Sequence, residues 1–126
     1  LKLILYLFIT INMEYTLFIF RRDFRIEDNT SLLYAMNYCK NIIPIFIFTP
    51  EQITEENKFK NDNAIQFMCE SLNELNLVLQ KNNSELHYFY GNNLDIIKEI
   101  CDEIKEKNII TNIDYTPYAL NRLFFR

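Results

Sequence analysis

One glycine, Gly91, occurs in 126 residues, and tryptophan is absent. A phosphate-binding P-loop or a dinucleotide fingerprint needs several glycines, because the backbone must approach phosphate closely, so neither motif can exist here. Histidine is nearly absent as well. His87 stands alone in a short apolar run, where packing is a commoner role than catalysis. The three cysteines, Cys39, Cys69 and Cys101, are odd in number and widely spaced, which fits neither a disulfide framework nor a zinc site. Each falls in a helix-like segment, and buried, reduced thiols of an intracellular protein, cytoplasmic or nuclear, are expected. No catalytic constellation and no metal site can be assembled from these residues. Basic residues are also in deficit. Thirteen Lys and Arg against seventeen Asp and Glu give a net charge of -4. Apart from Arg21, Arg22 and Arg25 the cations are scattered, so the isolated domain has no electrostatic footprint for nucleic acid.

Long apolar runs are confined to residues 1–11. That run is too short to cross a bilayer, which takes about 20 residues. It carries no small-residue cleavage site of a secretory signal. Met13 follows it, so residues 1–12 are expected to be an extraneous apolar segment, with the domain occupying 13–126. No membrane association is expected. Asparagine, isoleucine and lysine are abundant while alanine is scarce, a bias expected of an AT-rich genome rather than of a function.

What remains alternates strand and helix. Residues 15–20 are β-branched and aromatic and predict a strand. A polar loop over 21–29 follows. Asp28, Asn29 or Thr30 could cap a helix running through Leu32, Leu33, Ala35 and Met36 to about residue 40. Residues 42–48 form a continuous apolar run, expected of a strand buried on both faces, with Pro44 near its start. A polar stretch over 51–62 leads to a helix over about 63–81, where Ile65, Met68, Leu72, Leu75 and Leu79 make one apolar stripe. Residues 86–90 predict a third strand, ended by Gly91-Asn92-Asn93. Leu94, Ile97, Ile100, Cys101 and Ile104 mark another helix, and 109–114 a fourth strand. Helices between strands imply βαβ units and an open parallel α/β sheet, Rossmann-like, with helices on both faces. Ligands of such sheets bind at the carboxyl edge of the strands, where the order reverses. This places 21–29, 49–52, 91–93 and 114–122 along one rim. The arginines of the first loop could pair with Asp23, Glu27 and Asp28 to hold its shape, or contact a ligand. Tyr115-Thr116-Pro117-Tyr118 has the aromatics and rigid turn of a planar-ligand wall, or of a packed crossover.

Five segments, in order and at family spacing, resemble the opening domain of the DNA photolyase and cryptochrome family. They are Arg21-Arg22-Asp23-Phe24-Arg25 with Asp28-Asn29; Ile45–Phe48 with Pro50; Asn63, Gln66-Phe67-Met68, Ser71-Leu72 and Leu75; Asn112; and Asp114-Tyr115-Thr116-Pro117-Tyr118-Ala119 with Arg122. The resemblance covers about residues 15–122. It implies a five-stranded parallel sheet ordered 3-2-1-4-5, which holds a light-harvesting antenna chromophore in a deoxyribodipyrimidine photolyase, a light-driven DNA repair enzyme. It also implies that the catalytic FAD, the DNA-binding surface and the electron-transferring tryptophans belong to a later helical domain. Arg22 and Asp114 match positions that contact a deazaflavin-type antenna in some members, and Arg21, Asp23 and Tyr118 complete the candidate cofactor-binding set. Folate-binding members carry Asn-Glu where this chain has Tyr118-Ala119, so a deazaflavin or a flavin is favoured over a folate, with an empty rim, as in members without an antenna, as the alternative. Beyond Arg122 the likeness stops, and the expectation is a truncated domain without its fifth strand, not catalytic alone. The alternatives are one subunit of a split photolyase served by a separately encoded helical FAD domain, a cryptochrome-like light-sensing fragment, a small-ligand-binding α/β module, or a decayed gene product.

Overall fold

The computed structural model describes residues 15–55, 58, 60–104 and 108–112. Strands β1 (Thr16–Ile19), β2 (Ile42–Phe48), β3 (His87–Tyr90) and β4 (Asn108–Thr111) form one parallel sheet in the order β3-β2-β1-β4. These are the first four positions of the expected 3-2-1-4-5 arrangement. Helices α1 (Thr30–Tyr38), α2 (Pro50–Ile53), α3 (Asp62–Lys81) and α4 (Asn93–Ile104) connect them.

The period-two alternation of the strands divides the interior in two. Leu17, Ile19, Ile43, Ile45, Ile47 and Phe89 point to one face and pack with Ile100 and Ile104 of α4. Phe18, Phe20 and Phe46 point to the other and pack with Leu32 and Ala35 of α1 and Leu72, Leu75 and Leu79 of α3. Helices therefore cover both faces, as expected of a sheet whose central strands are apolar on both sides. β1, paired with β2 and β4, is buried along its whole length.

Pro44 is the third residue of β2, an interior strand, yet it breaks no ladder bond. The Ile45 carbonyl accepts from Phe20 beyond β1, and the Phe48 carbonyl accepts from Gly91 beyond β3. Odd residues of β2 thus address β1 and even residues β3. The Pro44 nitrogen faces the β3 side, where pairing begins only at Ile45↔His87.

Three sequence expectations change. The polar stretch after Pro50 opens with the short helix α2, set by Pro50 at its first position and by the Gln52 side chain accepting from the Thr49 N–H at 3.1 Å. Cys69 is exposed on α3 rather than buried, and Cys39 lies just past the end of α1, where its N–H donates to the Ala35 carbonyl. The chain's one glycine sits in the turn after β3 at φ 148°, a region that disfavours side chains.

Two consequences can be measured. Leu72 is 1% exposed at the centre of the α3 stripe. Leu72→Ala is expected to lower stability by about 2–5 kcal/mol, read as a fall in the urea midpoint. His87 is half-buried, and burial lowers its pKa from the ordinary 6.5, partly opposed by the nearby Glu85. A histidine held neutral contributes stability that is full above 6.5 and is lost as pH falls from there through the lowered folded-state pKa. Thermal midpoints should fall over that window in the native chain and level out in His87→Gln.

Candidate functional site

The carboxyl edge of the sheet is organised by two amides. Asn29, 3% exposed, lies at the end of the loop after β1. Its Oδ1 accepts from the Leu32 N–H at 3.1 Å, capping α1, and from the Asn112 Nδ2 at 2.9 Å. Its own Nδ2 donates to the Arg25 carbonyl at 3.2 Å. Asn112 follows β4 directly and also donates to the Asp23 carboxylate at 3.4 Å. Thr111 adds a hydroxyl donated to the Ile19 carbonyl at 2.9 Å. The loop after β1 is thereby fastened to the exit of β4. Asp28 completes the loop with a φ of 52°, a left-handed conformation that Asp tolerates better than most residues. Arg25 donates to the Asp28 backbone carbonyl at 3.4 Å. The loop's shape thus rests on amide and carbonyl partners.

Above this edge lies a cavity of about 380 Å³, within the range of small-molecule sites. Ile19, Phe20, Phe46 and Ile47 form its floor, the tops of β1 and β2. Ala64, Ile65, Phe67 and Met68 from the first turns of α3 form one wall, and Asn93, Leu94 and Ile97 of α4 form another. Phe24 packs edge-on against Phe46, with ring centroids 5.5 Å apart. The charged residues in this lining are all cations: Arg21, Arg22 and Lys60. Both walls are helix N-termini, whose dipoles favour anions although side-chain caps already take the first amides. Asn61 caps α3, accepting from Asn63 and Ala64, and Asn92 accepts from Leu94 and Asp95 at the start of α4. Lys60 contacts Glu55 at 2.6 Å and Asp62 at 3.6 Å. The Glu55 hydrogen bond foremost raises its pKa, and it stays a cation.

Of the five residues expected to bind a cofactor, Arg21 and Arg22 line this cavity. Asp23 stands beside it, bonded to Asn112. Asp114 and Tyr118 lie outside the described residues. Gln52, from the 49–52 loop expected on the rim, also lines it, as does Lys60, which sequence reasoning missed. Lys60 sits in the polar stretch after β2, where nothing in the composition separates a cavity residue from a solvated one. Among the described residues no cluster of three or more metal-ligating side chains occurs, and no helix is long and apolar enough to cross a membrane.

The amide pair makes a graded prediction. Asn29→Ala removes the α1 cap and two further bonds, and should cost about 1–3 kcal/mol. Asn29→Asp keeps a capping oxygen and an acceptor for Asn112 but sets a carboxylate against the Arg25 carbonyl. Its unfolding midpoint should fall between those of Ala and the native chain.

The sequence profile of the DNA photolyase family matches residues 16–123. Among curated relatives, a (6-4)DNA photolyase of Arabidopsis thaliana is 28% identical over 106 residues, covering 79% of this chain and 19% of the relative. Cryptochrome-1 of Aedes aegypti is 29% identical over 104 residues, covering 78% and 19%. The chain therefore spans about a fifth of the length of the curated relatives it matches. An archaeal photolyase from Sulfolobus tokodaii, solved with two FAD molecules, superposes with a TM-score of 0.79 at 41% identity, over 86% of this chain and 24% of that one. A class III photolyase from Agrobacterium tumefaciens, 21% identical, shares the fold with a TM-score of 0.72, over 86% and 22%. With a family match that runs from β1 past β4, the chain belongs to the DNA photolyase family.

Proposed function

We propose that this chain is the chromophore-holding α/β part of a photolyase-type, light-driven DNA repair system, and that its cavity takes an anionic flavin nucleotide as antenna. The carrying observation is the composition of the cavity. In a chain of net charge -4, the charged residues of its lining are Arg21, Arg22 and Lys60, and its floor is aromatic and aliphatic. Phe20, Phe24, Phe46 and Met68 suit a planar apolar ring. The three cations suit a phosphate, with the dipoles of the capped helices α3 and α4 adding to them. Two FAD molecules in the Sulfolobus photolyase support the flavin class over a folate.

When bound, the flavin would supply absorption of visible light. The chain's part is to hold the ring in the apolar floor, fix the phosphate at the cationic rim and exclude water between them. Arg21 and Arg22 reach the rim from the loop after β1, which the Asn29–Asn112 bond keeps in place. Lys60 donates to Glu55 and lies 3.6 Å from Asp62, with donor capacity left for an incoming oxyanion. The repair reaction itself is assigned to the portion that the longer relatives carry beyond this domain.

Equilibrium dialysis against FMN, FAD and riboflavin tests the reading. Both nucleotides should bind, and riboflavin, lacking phosphate, should bind more weakly. A charge-assisted hydrogen bond contributes about 1.5–3 kcal/mol, so Lys60→Ala or Arg22→Ala should weaken FMN roughly ten- to a hundredfold. Riboflavin binding as tightly as FMN would remove the phosphate argument, and no flavin binding at all would remove the antenna.

A further inference from the structure

Among the uncharged polar residues of the cavity lining, Gln52 combines partial burial with a fixed direction. Its N–H donates to the Thr49 carbonyl at 2.9 Å, and its Oε1 accepts from the Thr49 N–H at 3.1 Å. A backbone N–H can only donate, so the amide oxygen must face it and the group cannot be turned round. Nε2 is then the polar atom that Gln52 has left for a ligand, and it offers donors and no acceptor. Its neighbours in the lining differ. Asn61 is exposed, and its oxygen already accepts from the Asn63 and Ala64 N–H groups. The Thr111 hydroxyl is donated to the Ile19 carbonyl at 2.9 Å.

A flavin-type ring carries carbonyl oxygens and unprotonated nitrogens along one edge. On a floor of Phe20, Phe46 and Ile47 such an acceptor leaves water, and one left without a donor costs about 1–3 kcal/mol. Arg21, Arg22 and Lys60 answer a phosphate, whereas a neutral carbonyl is matched by a neutral N–H. The Thr49 bond also holds the Gln52 amide before any ligand arrives. Little side-chain freedom is lost when it donates, so more of the bond's energy remains for binding.

We infer that Gln52 is a specificity-determining residue of the cavity: its Nε2 donates to an acceptor on the ring edge of the bound chromophore, and so selects rings that present an oxygen or an unprotonated nitrogen there. The inference rests on the flavin reading proposed above and separates a reader of the ring from the cations that hold the phosphate.

Equilibrium dialysis of the 126-residue chain against riboflavin and FMN tests it. Gln52→Glu keeps an acceptor for the Thr49 N–H, the place that glutamate takes in a capping box, and sets an oxygen where the NH2 group stood. It should weaken riboflavin, which has no phosphate for the new carboxylate to repel, about tenfold. Gln52→Met removes the donor without adding charge. It should weaken riboflavin and FMN by the same factor, roughly three- to tenfold, whereas Lys60→Ala should weaken FMN alone. Riboflavin bound as tightly by Gln52→Glu as by the native chain would overturn the inference. So would a Gln52→Met chain that loses affinity for FMN but not for riboflavin, because the amide would then serve the phosphate. Either result leaves the flavin reading standing, since the native chain still binds. A native chain that binds neither flavin overturns both.

Discussion

The hydrogen bond between Asn29 and Asn112 joins positions 83 residues apart, and the carboxyl edge depends on it. β1 sits between β2 and β4, so the loop after β1 must leave the sheet where the strand order reverses. Without a tether, a nine-residue polar loop has many ways to leave. Asn29 removes that freedom by ending the loop, capping α1 and receiving Asn112 with a single side chain. Because this amide is buried, each of its bonds must be made, and losing one leaves an orphan of real cost.

The cavity's charge is local rather than global. The domain is acidic, and α4 carries Asp95, Glu99, Asp102 and Glu103 on its outer side. The lining inverts that sign with three cations and two helix N-termini. Field lines concentrate in a concave site with low-dielectric walls, so an anion would meet a favourable potential there despite the net charge.

Much of this was legible in the sequence, and the gaps have physical causes. The parallel sheet followed from the alternation of strands and helices and its strand order from the family resemblance, and the stripe Leu72, Leu75 and Leu79 follows from helical period alone. The stripe's first members, Ile65 and Met68, are apolar for a different reason: they wall the cavity. Periodicity cannot distinguish these two uses. Asn29 was one of three candidate caps, and its pairing with Asn112 leaves no trace in local sequence. Cys69 reads like its buried neighbours by composition, but its place on α3 puts it off the apolar stripe and into solvent. Lys60 is one cation among scattered cations until α3 brings it to the rim. Asp114 and Tyr118 fall outside the described residues, so the second loop of the expected site carries none of the geometry argued above.

The cavity also bears on how the two cores relate. Ile19, Ile47 and Ile97 belong to, or pack on, the core beneath α4, while Phe20, Phe46 and Met68 belong to or flank the one beneath α1 and α3. The sheet separates these cores along its length, and they approach each other only over its carboxyl edge. A planar ligand seated there would touch both at once and act as the packing element that neither helix layer supplies. Since such a ligand binds the folded chain alone, it would stabilise the fold by an amount set by its concentration relative to its dissociation constant. If the cavity takes the proposed chromophore, folding and occupancy would be coupled through the same apolar residues, so a substitution at Phe46 or Met68 would act on both, whereas one at the cationic rim would act chiefly on occupancy.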